Sequence, residues 1–128
     1  MACLGFITGC GNYFAPGPTQ RSVAATDLVG TWTYAPLCSG PAQVTLVLRP
    51  DGTFGQTVQE GTRTLTSQGG WRVVGSEVEL DAALTEFNGW SIAQERWRVV
   101  DWDESPTGFG IFGGAGDPDC WVVFDWQP

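Results

Sequence analysis

Fourteen acidic residues, six arginines, four cysteines and seven tryptophans carry what chemistry this chain has to offer; its 128 residues include no histidine and no lysine. Without histidine there is no Ser-His or Cys-His pair to activate a nucleophile, and most zinc sites are excluded. Carboxylates remain. Asp101, Asp103 and Glu104, with Asp117 and Asp119 further on, could offer oxygen to Ca²⁺, but they lack the fixed Gly and terminal Glu of an EF-hand loop. Asp117-Pro118-Asp119 is equally a plain turn sequence. A carboxylate pair can hydrolyse a glycoside at a suitable separation, yet nothing in the spacing holds two of them in a cleft. The reading is a chain with no catalytic residue, no metal site and no cofactor.

Tryptophan is the stronger lead. Trp71, Trp90, Trp97, Trp102, Trp121 and Trp126 are more aromatic surface than a small domain needs. Two explanations stand side by side: side chains that fill a β-barrel, or an aromatic wall and mouth for a ligand. Trp97 is placed in a strand, while Trp90 and Trp102 fall outside clean alternation; these three are the candidate ligand-binding residues.

Composition sets the frame for them. The chain is long enough for one domain, and 42% apolar residues can bury a real core. No apolar run approaches the ~20 residues that span a bilayer. A net charge of −8 with six scattered arginines gives no basic face for phosphates, so nucleic acid is not an expected partner.

Residues 1–26 read as a leader and tether. Ile7-Thr8-Gly9-Cys10 resembles a bacterial lipobox, in which the cysteine is lipidated and becomes the mature N-terminus. Leu4, Phe6 and Ile7 would end its apolar region. The stretch lacks a preceding Lys or Arg and is shorter than the usual ~15–30 residues, which a start codon assigned too far downstream would explain. The alternative is an ordinary thiol in a cytosolic protein. Gly11 to Thr26 then reads as a turn-rich tether around Pro16-Gly17-Pro18.

Residues 27–128 read as strands joined by tight turns. Leu28 to Tyr34 is the first, with Leu28, Trp32 and Tyr34 on one face. Pro50-Asp51-Gly52 suits a three-residue hairpin loop that sets Leu48 opposite Phe54. Gly61-Thr62 sets Val58 opposite Leu65 and Glu60 opposite Arg63. Gly75-Ser76 sets Val73 opposite Val78 and Arg72 opposite Glu79. Three successive turns thus put apolar beside apolar, and two of them also put Arg beside Glu. Ala82 to Glu95 shows no clear period and reads as a short helix, an irregular excursion or a loop over one mouth. Arg96 to Trp102, Gly108 to Phe112 and Cys120 to Trp126 complete an all-β, antiparallel up-and-down barrel of about eight strands.

Closure of such a barrel pairs the first strand with the last. Cys38 lies just past the first and Cys120 opens the last, so the two are expected as neighbours. In an oxidising compartment they would form a disulfide worth ~3–5 kcal/mol; the alternative is two separate thiols.

Leu28-Val29-Gly30-Thr31-Trp32, then Arg49-Pro50-Asp51-Gly52-Thr53-Phe54, then Gly69-Gly70-Trp71-Arg72-Val73 resemble the bacterial lipocalin-like lipoprotein domains of unknown function. The loop Gly116-Asp117-Pro118-Asp119 is similar to one in uncharacterised proteins of this type. Gly30-Thr31-Trp32 matches the G-x-W of lipocalins, in which the Trp plugs the closed end of the barrel. The resemblance spans about Asp27 to Trp126 and implies a lipocalin-like barrel, while carrying no established activity. The expectation is therefore a non-enzymatic extracytoplasmic lipoprotein, held to the membrane by its lipid anchor alone, binding a small apolar or amphipathic ligand in the barrel. The competing expectation is a filled barrel that works as an envelope protein-interaction or hydrolase-inhibitor module.

Overall fold

The computed structural model describes residues 19–34, 42–86, 90–103, 105–113 and 122–128. After one helical turn, α1 (Ala25–Leu28), come eight strands: β1 (Gly30–Tyr34), β2 (Ala42–Leu48), β3 (Thr53–Glu60), β4 (Arg63–Val74), β5 (Glu77–Glu86), β6 (Trp90–Asp101), β7 (Phe109–Gly113) and β8 (Val122–Gln127). Each is antiparallel to its neighbour in sequence. β8 returns to β1 through Thr31–Gln127, Trp32–Trp126 and Thr33–Asp125, closing an up-and-down barrel.

The turn chemistry sets the register. Gly52 takes φ +86° in the β2–β3 loop, where its N–H donates to Arg49 O at 3.1 Å. Asp51 Oδ1 accepts from the amide and hydroxyl of Thr53, at 3.0 and 2.7 Å. Gly61 and Gly75 both sit at φ +64°, the left-handed value that two-residue hairpin turns need at their first central position. Leu48–Phe54, Val58–Leu65, Glu60–Arg63, Val73–Val78 and Arg72–Glu79 all face each other as the turn sequences require.

The core follows from alternation. Val44, Leu46 and Leu48 on β2, Phe54 and Val58 on β3, Val78 and Leu80 on β5, Trp97 and Val99 on β6, Ile111 on β7 and Phe124 on β8 bury inward around Trp32. Outside, Glu79 lies between Arg72 and Arg96 in one cross-strand row. Arg72 reaches Glu79 at 2.7 Å and Asp81 at 3.2 Å; Arg96 binds Glu79 and reaches Glu77 at 3.3 Å. Arg98, across from Glu77, lies 5.0 Å over the Phe112 ring.

Three expectations need correction. Leu28 does not begin β1: it ends α1, where Asp27 Oδ2 accepts the Ala24 amide at 2.9 Å and favours a helical turn over a strand. Within Ala82 to Glu95 the described residues are strand and not helix or loop: β5 runs on to Glu86 and β6 begins at Trp90. One extra residue on β5 between Leu80 and Ala83 shifts the register there, which is what hid the period. Finally, Thr19 to Arg21, inside the stretch expected to be a tether, hydrogen-bonds to β6. Arg21 N donates to Val99 O and Asp101 N to Thr19 O, both at 2.8 Å.

The bulge has a structural purpose. Past it, β5 leaves the β4 ladder and crosses the inward faces of β4 and β3. Ser67 donates its hydroxyl to Ala82 O. Gln56, only 1% exposed, donates to Leu84 O at 3.0 Å and accepts from Leu84 N at 2.6 Å. Gly69 makes the crossing possible: a Cβ there would stand 3.1 Å from Phe54 Cε1 and 3.4 Å from Ala82 N.

Candidate functional site

The tryptophans expected to bind a ligand do not come together. Trp90 opens β6 and Trp102 follows its last residue, twelve residues on and so roughly 40 Å away along the strand direction. Trp97, between them, is 5% exposed and stacks on Phe124 with ring centroids 5.3 Å apart; its Nε1 donates to Glu95 Oε1 at 3.2 Å. It is a packing residue. Trp90 is half-buried against the core opposite Glu86. Trp102 sits in the β6–β7 connection, donating its amide to Gly108 O at 2.9 Å.

Of the other residues singled out, Cys10, Cys38, Cys120, Glu104, Asp117, Asp119 and Trp121 lie outside the described residues. Asp101 pairs with Arg21 at 3.7 Å. Among the described residues no three His, Cys, Asp or Glu side chains converge.

The concave site is instead at the base of the barrel, the end where α1, the β2–β3 loop and the β4–β5 turn meet. Trp32 closes that end from within, buried, its Nε1 donating to Leu28 O at 2.9 Å. Trp126 covers the entry to β1 and explains Gly30: with φ +142°, a Cβ there would lie 2.5 Å from the indole nitrogen. Trp71 is pinned to the β2–β3 loop twice, by its amide to Gly52 O and by its Nε1 to Arg49 O, each at 2.9 Å.

A strap runs across this base. Residues 19–21 are held to β6 as described, Gln20 Nε2 reaches Ser76 Oγ at 3.2 Å, and Arg21 lies 5.1 Å over the Phe109 ring. Leu28 then turns into the core, while Val23 and Val29 pack against it. Between strap and barrel remains a groove of about 650 Å³. Its strap side is Ser22 to Thr26 and Val29; its barrel side is Pro50, Gly52, Trp71 to Val73 and Gly75. Ser22 and Thr26 give the lining its hydroxyls and Arg72 its charge. None of the lining residues is a histidine or a carboxylate.

Sequence reading missed this groove because it lies between segments fifty residues apart. One signal was available. Val23 and Leu28 flank Ala24-Ala25-Thr26-Asp27, the spacing of an apolar staple around a helix start with an acid at its third position. That pattern marks a docked turn and argues against a free tether.

Comparison with family models, curated proteins and solved structures finds no match for the chain.

Proposed function

We propose that this chain is a non-catalytic binding domain that takes a small apolar or amphipathic molecule in the basal groove. The groove carries the proposal: about 650 Å³, walled by Val23, Val29, Trp71 and Val73, with two hydroxyls and one guanidinium at hand. That is the size and composition of small-molecule sites in general, apolar with few polar groups. The described residues of every strand contribute to one buried cluster, which supports a seat at the base.

The resemblance to lipocalin-like lipoproteins supports an extracytoplasmic setting, with the chain anchored through Cys10 and Cys38 bonded to Cys120. Intact mass of protein from its own host tests both, through the diacyl addition and the loss of two hydrogens. Native mass spectrometry of the same sample tests ligand binding, together with methyl NMR of Val23, Val29 and Val73. A retained small molecule that shifts these methyls on removal is the expected result. A bare chain whose groove methyls respond to no added amphiphile would overturn the binding proposal. The buried cluster formed by the described residues supports a second reading, a filled barrel that docks a protein partner; a partner that protects barrel amides and leaves the groove methyls unmoved would select it.

A further inference from the structure

Resting on the groove as the binding site, we infer that its ligand is an amphiphile with a cationic head and not an anionic one such as a fatty acid. Charge decides this. Arg72, the lining guanidinium, is already matched by Glu79 at 2.7 Å and Asp81 at 3.2 Å. Glu79 is shared with Arg96, which also holds Glu77. Asp51 stands between the lining residues Pro50 and Gly52, beside Arg49, and Asp27 follows lining Thr26. With Arg21 beside lining Ser22 and its partner Asp101 counted, six carboxylates stand against four guanidiniums among the lining residues, their sequence neighbours and their ion-pair partners, on a chain whose net charge is −8. A carboxylate head would enter a negative field and find its cation occupied; an ammonium head is drawn by that field.

The apolar part has its own seat. Trp71 is the aromatic residue of the lining, its indole N–H spent on Arg49 O, and an aromatic ring is a surface that can attract a cation. Ser22 and Thr26 can serve a neutral polar atom next to the head.

The test uses three probes with one apolar body, decyltrimethylammonium, decanoate and decanol, each below its micelle-forming or solubility limit. The full chain is titrated with each while the methyls of Val23, Val29 and Val73 are followed. The ammonium is expected to bind about five- to tenfold more tightly than decanoate at low salt, with the gap closing at high salt as the charges are screened. Asp81→Asn should narrow the gap by about two- to threefold, since it removes one of the carboxylates that match lining Arg72. Decanoate binding as tightly as the ammonium would overturn the charge selectivity while leaving the groove as a site. No methyl response to any of the three would overturn the site itself.

Discussion

Gln56 on β3 holds both the amide and the carbonyl of Leu84 on β5, at 2.6 and 3.0 Å, inside the barrel. Its primary amide does for one residue of β5 what a neighbouring strand would do. The ladder between β4 and β5 stops at Trp71–Leu80, so past that point β5 needs other partners for its backbone. Gln56 and Ser67 provide them.

Gln56→Leu keeps the volume and leaves both Leu84 groups buried and unpaired. The expected loss is roughly 2–6 kcal/mol in urea denaturation, from about 1–3 for each orphaned group. Hydrogen exchange at the Leu84 amide should rise in parallel. A loss below about 0.5 kcal/mol would mean that β5 finds its partners elsewhere.

Gly30→Ala should destabilise by about 1–3 kcal/mol. The new methyl must displace Trp126 and hold a φ of +142° that an L-residue rarely adopts. Because Trp126 pairs with Trp32 in the closing ladder, a change in tryptophan emission should accompany the loss. Unchanged emission and stability would show that Trp126 does not sit over Gly30.

Trp71 allows its two roles to be separated. Trp71→Phe keeps most of the apolar body but loses the bond to Arg49 O, a difference of about 1 kcal/mol. Trp71→Ala also empties the base and should cost about 3–5 kcal/mol. Equal losses in the two variants would place the energy in the hydrogen bond alone.

Acid should weaken the outer ion-pair row. The bond from Arg96 outweighs the upward push of desolvation and, with the smaller contribution of the bond from Arg72, holds the Glu79 carboxyl below its ordinary value of about 4.5. The Thr53 hydroxyl and amide likewise lower Asp51 from about 3.8. A carboxyl depressed in the folded state stabilises fully above its ordinary value and loses that contribution as pH falls through the folded one. The Tm difference between the native chain and Glu79→Gln should therefore hold from pH 7 to about 4.5 and shrink below it. A difference independent of pH would contradict the pairing.

What the sequence made legible was local. Pro50-Asp51-Gly52, Gly61-Thr62 and Gly75-Ser76 each specify a turn, and each turn specifies a register, so β2 to the start of β5 could be placed residue by residue. The closing pair of strands follows from the number of strands, and the place of Trp32 from the resemblance carried by Gly30-Thr31-Trp32. What stayed hidden depends on segments meeting far from their neighbours. The extra residue near Ala82 blurred the period because its purpose, the crossing over Gly69 toward Gln56, is visible only in three dimensions. The groove was hidden for the same reason, since no spacing relates Val23 to Val73. The aromatic character of Trp97, Trp90 and Trp102 leaves both packing and ligand binding open; Trp97 stacks on Phe124.

Seven ladders of the barrel join strands consecutive in the sequence, and one, β1 with β8, joins its two ends. This gives the molecule an order of assembly. Hairpins around short loops form early, since little chain entropy is lost in closing them, while the β1–β8 seam spans nearly the whole domain and zips last. Changes at Trp32 or Trp126 should then act mainly on how fast the native barrel opens, and changes at the Gly61 and Gly75 turns on how fast it forms.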